Sequence, residues 1–275
     1  MACGAQSHII ERTKRNTGAT MSQVDIHPSA RLADNVRIMG ALSLGANVQV
    51  GANVTFYPNV HIGAGTRIMA GAVIGRPPIR AGTTNRPISL GDETVRIGAH
   101  CVISPNAVLY TNLRIGNNVL VGDLASVREG CQLADDTVVG CGTTLMHGVE
   151  IGARSRIHNL AFIVGGCRIE ADVFIAGQVG SVNDNEVYLK RFGLVPFRID
   201  PPRIRRFAVV GANATLSAGI EVGRGAIVAP GAVVTRDVPA WTVVAGVPAR
   251  HMRDIPTEDR QAILRKFGLA DEASA

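Results

Sequence analysis

Large aromatics are scarce in this sequence: Phe, Tyr and Trp make up 4% of its 275 residues. An ordinary globular core of this length uses more of them, because each fills much volume per residue. A core built without them must be narrow and repetitive. Charged residues are also few, at 18%, against 46% hydrophobic residues, which excludes a disordered chain. No apolar run approaches the roughly 18–20 residues of a membrane helix, so no membrane span is predicted. Cysteine is sparse, odd in number and without a CxxC spacing, which excludes a disulfide scaffold. The first 20 residues lack an apolar h-region, so no signal peptide is expected and a reduced, cytoplasmic protein is predicted. Residues 1–23 read as a polar tail in which Met21 is a candidate start.

What the sequence has in abundance is a period. Every sixth residue from Ile26 to Ile74 is large and apolar, as is every sixth residue from Ile97 to Ile175 and from Val210 to Val234. The middle run holds fourteen aliphatics in succession, for which chance gives about 2 in 100,000 per starting point. Positions two residues earlier are small or aliphatic, as at Ala30, Val48, Cys101, Ala107 and Cys131, and Gly often follows the large residue, as at Gly45, Gly51 and Gly116. A helix face recurs at 3.6 residues and a strand face at 2, so neither alone gives six. A short strand and a tight corner do, with Gly or Asn supplying the corner's backbone freedom. Three sides close a coil of 18 residues, and the inward aliphatics make about nine stacked coils, a one-dimensional core of the solenoid kind. In this register Cys101, Cys131 and Cys167 occupy the small inward slot and are read as core residues.

The period fails twice, over 75–96 and 181–207. The first stretch carries Arg76, Arg80, Arg86 and Arg96 against Asp92 and Glu93; the second carries Lys190, Arg191, Arg198, Arg203, Arg205 and Arg206 against Asp184, Glu186 and Asp200. Together they account for most of the formal net charge of +6. Two basic extruded loops suit small, multiply charged phosphate ligands; a solvated charged loop is the alternative. There is no long basic stripe and no aromatic pattern of an RNA-binding sheet, so no nucleic-acid partner is expected.

These features resemble the hexapeptide-repeat acyltransferases over residues 24–253, closed by Ala245-Gly246-Val247-Pro248-Ala249-Arg250. The resemblance implies an all-β, left-handed parallel β-helix and a homotrimer with active sites between subunits. Residues 254–275 read as a C-terminal helix starting near Thr257 and ending at Gly268. The HxxxxH pair of β-helical carbonic anhydrases is absent, so no metal is expected. The HxxH-like segment of lipid A-type acyltransferases is absent too. His158, in Arg156-Ile157-His158-Asn159, follows an inward Ile and should face outward, either as a base or substrate contact or as an ordinary interface residue.

Three segments narrow the resemblance to the dTDP-3-amino-3,6-dideoxyhexose N-acetyltransferases. They are Val173 to Asn185 with its Asn183-Asp184-Asn185 triplet, Gly116 to Glu129, and Ile74-Gly75-Arg76-Pro77-Pro78. That family implies acetyl transfer from acetyl-CoA to the C3 amino group of a dTDP- or UDP-linked amino sugar. Asn183, Asp184 and His158 are then the catalytic candidates, with Arg76, Asn159, Gln178 and Asn185 around the substrate. Positioning of a neutral amine would carry much of the acceleration, and the leaving thiolate can take the proton. A backbone N–H would stabilise the oxyanion. The resemblance places coenzyme A near Ser217, Ala218 and Ala229, with Arg236 or Arg250 at its phosphates. The triplet also reads as a simple turn, and the coenzyme A positions as ordinary coil residues. An acyl-carrier-protein-dependent sugar acyltransferase and a non-catalytic β-helical scaffold are the alternatives.

Overall fold

The computed structural model describes residues 23–79, 88 and 93–269. Its strands, mostly of two or three residues, stack into three sheets of ten, twelve and ten strands, parallel except for the last strand of the second sheet. The chain visits the three sheets in rotation. Leu42, for example, pairs in register with Val24 on one side and Val60 on the other. The result is a parallel β-solenoid, with which the left-handed winding of hexapeptide repeats is consistent. Ten strands in the first and third sheets correct the expected nine coils, because the inserted loops and the closing segment hide hexads from a count of aliphatics.

The solenoid has three edges, numbered here in chain order: first sheet to second, second to third, and third back to first. The six-residue period is visible in burial. Every large aliphatic from Ile97 to Ile175 is buried, and so is the small partner two positions earlier. Three of those partners are polar, as is Thr66 before Ile68, yet each is satisfied inside the tube: Thr66, Thr137, Thr143 and Ser155 donate to the carbonyls of Gly98, Ala134, His158 and Glu170 at 2.6–2.8 Å. Such pairing is what a buried hydroxyl requires. Cys101, Cys131 and Cys167 are buried in the same slot, and burial pushes the thiols of Cys131 and Cys167 up to about 12.

Glycine does two separate jobs at the corners. The left-handed backbone position is the third corner residue, occupied by Asn47, Asn53, Asn118, Asp136 and their equivalents. Asn and Asp tolerate this region better than most residues. The glycine directly after the large aliphatic is a different case. A Cβ on Gly51 or Gly122 would lie 2.6 Å from a backbone nitrogen of the next coil. Close stacking of coils, not corner freedom, therefore demands Gly there.

Both breaks in the period leave from the third edge. In the first sheet Val60 pairs with Val95, and Ile169 with Ile204, at separations of 35 residues instead of 18. The first insertion follows the strand Val73–Arg76, and only its ends and Ile88 lie within the described residues. The second leaves after Gly180–Ser181, forms the short helix α1 (Val187–Lys190), and rejoins at Arg203–Ile204. Five coils, about 24 Å at the usual strand spacing, separate the exits. At the C-terminal end, strand Arg250–Asp254 pairs antiparallel with Thr242–Ala245. Helix α2 (Thr257–Lys266) then lays Leu264 against Phe207 and Trp241.

Candidate active-site edge

Successive coils bring a defined column of side chains to the third edge. Where the third sheet ends, the column runs Arg76, Tyr110, Arg128, Met146, Val164, Val182 and Ser217. The next residue in each coil gives Thr111, Glu129, His147, Gly165, Asn183 and Ala218. The two insertions bracket this column.

At one end, the Arg76 and Arg128 guanidinium groups lie over the Tyr110 ring, 5.5 and 4.6 Å from its centroid. Arg128 Nε also donates to Glu129 at 3.0 Å, and Glu129 is buried at 6% exposure. In the middle, His147 is half-buried between Glu129, one coil before, and Gly165, one coil after. A Cβ on Gly165 would fall 2.6 Å from either ring nitrogen of His147, so glycine there makes room for the imidazole. At the other end the loop root is tied to the coils on both sides. Asn183 Nδ2 donates to the Gly165 carbonyl at 3.1 Å, and Asn185 Nδ2 to the Ala218 carbonyl at 3.3 Å.

Asp184 faces its own loop. Its Oδ1 accepts from Lys190 Nζ at 2.8 Å and from the Glu186 backbone N–H at 2.7 Å. Burial alone would push its carboxyl up, but these donors hold it below the usual carboxylate range. Lys190 also donates to the Arg198 carbonyl, so the Asp184–Lys190 pair fastens α1 to the loop's return.

The expected site residues divide between edges. Arg76, Asn183, Asp184, Asn185, Ser217 and Ala218 lie along the third edge, and exposed Arg236 sits just past the end of the third sheet. His158, Asn159, Gln178 and Ala229 lie on the second edge, one full side of the prism away within this chain. There His158 is exposed and meets Phe174 edge-on at 4.6 Å, while Asn159 accepts from the Cys141 N–H at 2.9 Å. Gln178 holds a left-handed corner, and Arg250 lies exposed on the terminal antiparallel strand.

The expected charging of the loops is corrected by where the arginines sit. Arg96 and Arg203 are outward residues of the first sheet. Arg205 bridges Glu170 and Glu221, and Arg206 pairs with Asp172, all on the solenoid body. Between its flanking strands the second loop has Lys190, Arg191 and Arg198 against Asp184, Glu186 and Asp200, and is neutral. Arg80 and Arg86 lie outside the described residues. What remains basic at the third edge is the root of the first loop, Arg76, with Arg128 beside it.

His147 is the residue that the sequence reading passed over. The signal was present: 129, 147, 165 and 183 are successive steps of 18, so His147 shares its column with Asn183. Among the described residues no group of three His, Cys, Asp or Glu side chains is placed to hold a metal ion, and no helix is long and apolar enough to cross a membrane.

The repeats match two family models, the bacterial transferase hexapeptide over residues 43–76 and the hexapeptide repeat of succinyl-transferase over 208–236. The chain is a hexapeptide-repeat protein. Over shorter stretches it is similar to two curated 2,3,4,5-tetrahydropyridine-2,6-dicarboxylate N-acetyltransferases. The Staphylococcus aureus (strain bovine RF122 / ET3-1) protein is 52% identical over 60 residues, covering 20% of this chain and 25% of the relative. The Enterococcus faecalis protein is 46% identical over 76 residues, covering 25% and 33%. The chain thus spans about a quarter to a third of the length of these relatives. Among solved structures it is similar to a galactoside acetyltransferase in complex with coenzyme A, at 23% identity and a TM-score of 0.41, covering 49% of this chain and 67% of that one.

Proposed function

We propose that this hexapeptide-repeat protein is an acetyl-CoA-dependent N-acetyltransferase acting on a nucleotide-linked amino sugar, with its reaction centre on the third edge. The observation that carries the reading is the column itself. Both insertions of an otherwise unbroken solenoid leave from one edge, and between them stand an arginine pair, a half-buried histidine and two anchored asparagines. The similarity to curated N-acetyltransferases supports amine acetylation as the class of reaction.

In this reading acetyl-CoA supplies the acetyl thioester, and the chain supplies orientation and a proton acceptor. The amine nitrogen forms its bond to the acetyl carbon as the carbon–sulfur bond breaks. His147, rather than His158, takes the amine proton, because it alone of the two shares the edge with both loops. Glu129, one coil away, favours the imidazolium that results. Asn183 acts as a positioning residue: its carbonyl oxygen faces the amine while its amide nitrogen holds Gly165. Asp184 maintains the loop through Lys190. Ser217 and Ala218 extend the edge toward the end where the thioester arm would lie. Arg236 fits its phosphates better than Arg250, which projects from the closing strand, and Ala229, on the second edge, does not fit a role in the same chain. Assembly as a homotrimer would bring a neighbour's second edge, with His158, Asn159 and Gln178, within reach of this one.

The test mixes the purified protein with acetyl-CoA and a panel of dTDP- and UDP-amino sugars and follows thiol release. Turnover with at least one amino sugar is expected, and Asn183→Ala should lower kcat/KM at least tenfold. No release with any member, together with no binding of coenzyme A, overturns the reading.

A further inference from the structure

We propose that Arg76, Tyr110 and Arg128 form a binding site for the diphosphate of a nucleoside diphosphate, an inference that rests on the nucleotide-sugar reading above for its biological acceptor. The argument begins with hydrogen-bonding capacity. A guanidinium carries five N–H donors in a fixed fork. Among the described residues, the one side-chain contact of Arg76's guanidinium is the Tyr110 ring, which accepts none of those donors in a conventional hydrogen bond. Arg128 uses Nε on Glu129, and that contact leaves the edge formed by its two terminal nitrogens free. That edge is the one suited to bidentate capture of a phosphate.

The charge count points the same way. Two cations approach one ring from 5.5 and 4.6 Å, and among the described residues the carboxylate paired with either of them is Glu129. On the solenoid body, by contrast, Arg205 is bridged by two acids, Glu170 and Glu221.

The rigidity is of the right kind as well. Arg76 ends a strand and pairs across coils with Tyr110. Arg128 follows the strand Ser126–Val127, so all three side chains stand on the ladder and not on the loop tip. Cation–π contact fixes the planes of both guanidinium groups before a ligand arrives, which lowers the ordering cost of binding. The diphosphate end would then lie two coils, about 10 Å, from His147. That separation leaves space for one sugar ring between the phosphate and the reacting amine.

Isothermal titration of the full chain with dTDP, dTMP and thymidine tests the site directly, without acetyl-CoA. The expected order is dTDP over dTMP over thymidine, with dTDP binding weakened at least tenfold by Arg76→Gln and by Arg128→Lys. The lysine variant keeps the charge beside Glu129 and removes only the fork, and an unchanged Tm shows that each variant is folded. Equal affinity for dTDP and thymidine overturns the proposal, and so does dTDP binding that is unmoved in the double variant. Arginine-dependent dTDP binding without turnover of any amino sugar would retain the site and overturn the acetyltransferase reading. Turnover of a dTDP-amino sugar with an unchanged KM in the double variant would do the opposite.

Discussion

The second and third edges of this solenoid are built from the same hexads and hold different things. Along the second edge the period never breaks, and large apolar groups stand in the open: Leu124 and Leu160 are 67% and 60% exposed, with Phe162 nearby on the third sheet at 46%. Along the third edge the period breaks twice, and the column between the breaks holds half-buried polar groups, Arg76, Arg128, His147 and Asn183, while exposed apolar groups, Tyr188 and Phe192 among them, stand on the second loop. The core does not distinguish them, since inward residues are buried behind both. What differs is whether a corner hexad was left intact or opened. An unbroken edge presents a straight, apolar surface of the kind that packs against another copy, whereas an opened edge has walls, and walls make a site.

The sharpest way to break this comparison is to remove one histidine from each edge. His147→Ala should lower kcat/KM at least a hundredfold, in the range of a lost general base, and His158→Ala should change it less than threefold. The reverse order in steady-state kinetics would move the reaction centre to the second edge.

A smaller effect separates the two glycine roles. On the second edge, a Cβ at Gly140 would sit 2.6 Å from the backbone nitrogen of Asn159. On the third edge, Gly148 has a φ of +65° and nothing within 4 Å of an added Cβ. Gly140→Ala should therefore cost about 2–3 kcal/mol through overpacking, and Gly148→Ala about 1 kcal/mol through left-handed strain. Thermal melts of the two variants measure the difference directly.

The smallest effect concerns the second loop and acid. Asp184 has its carboxyl held below the usual range. Its contribution to loop order is therefore complete above that range and is lost as pH falls through the lowered value. Limited proteolysis between residues 182 and 202 should accelerate on acidification. In Asp184→Asn the rate should be high already at neutral pH and respond much less to acid.

Much of this was legible in the residues. The large aliphatic at every sixth position, the small partner two earlier, and the corner Asn each follow from a narrow tube, whose main core holds one aromatic among the described residues, Phe56. Cysteines at 101, 131 and 167 declared themselves as core by register alone. The column Glu129, His147, Gly165 and Asn183 was also written in steps of 18, but steps of 18 do not say which edge carries chemistry. Charge counting misled for a physical reason. Arg96, Arg203, Arg205 and Arg206 are close in sequence to the loops, yet a short strand returns them to the solenoid body, where acids from neighbouring coils pair with Arg205 and Arg206. Asn183-Asp184-Asn185 suggested a group aimed at substrate, and the fold turned its outer members onto neighbouring coils and its aspartate onto Lys190.

The sequence by itself determined the solenoid, because a period of six has few ways to bury one large side chain per turn of the pattern. It also located the two interruptions. Only the tertiary structure decided that both interruptions open the same edge, that Arg76 and Arg128 meet over Tyr110, and that His147 rather than His158 stands between them. Those are relations between coils 18 residues or more apart. They are set by how strands stack about 4.8 Å from one another, which no local pattern along the chain records.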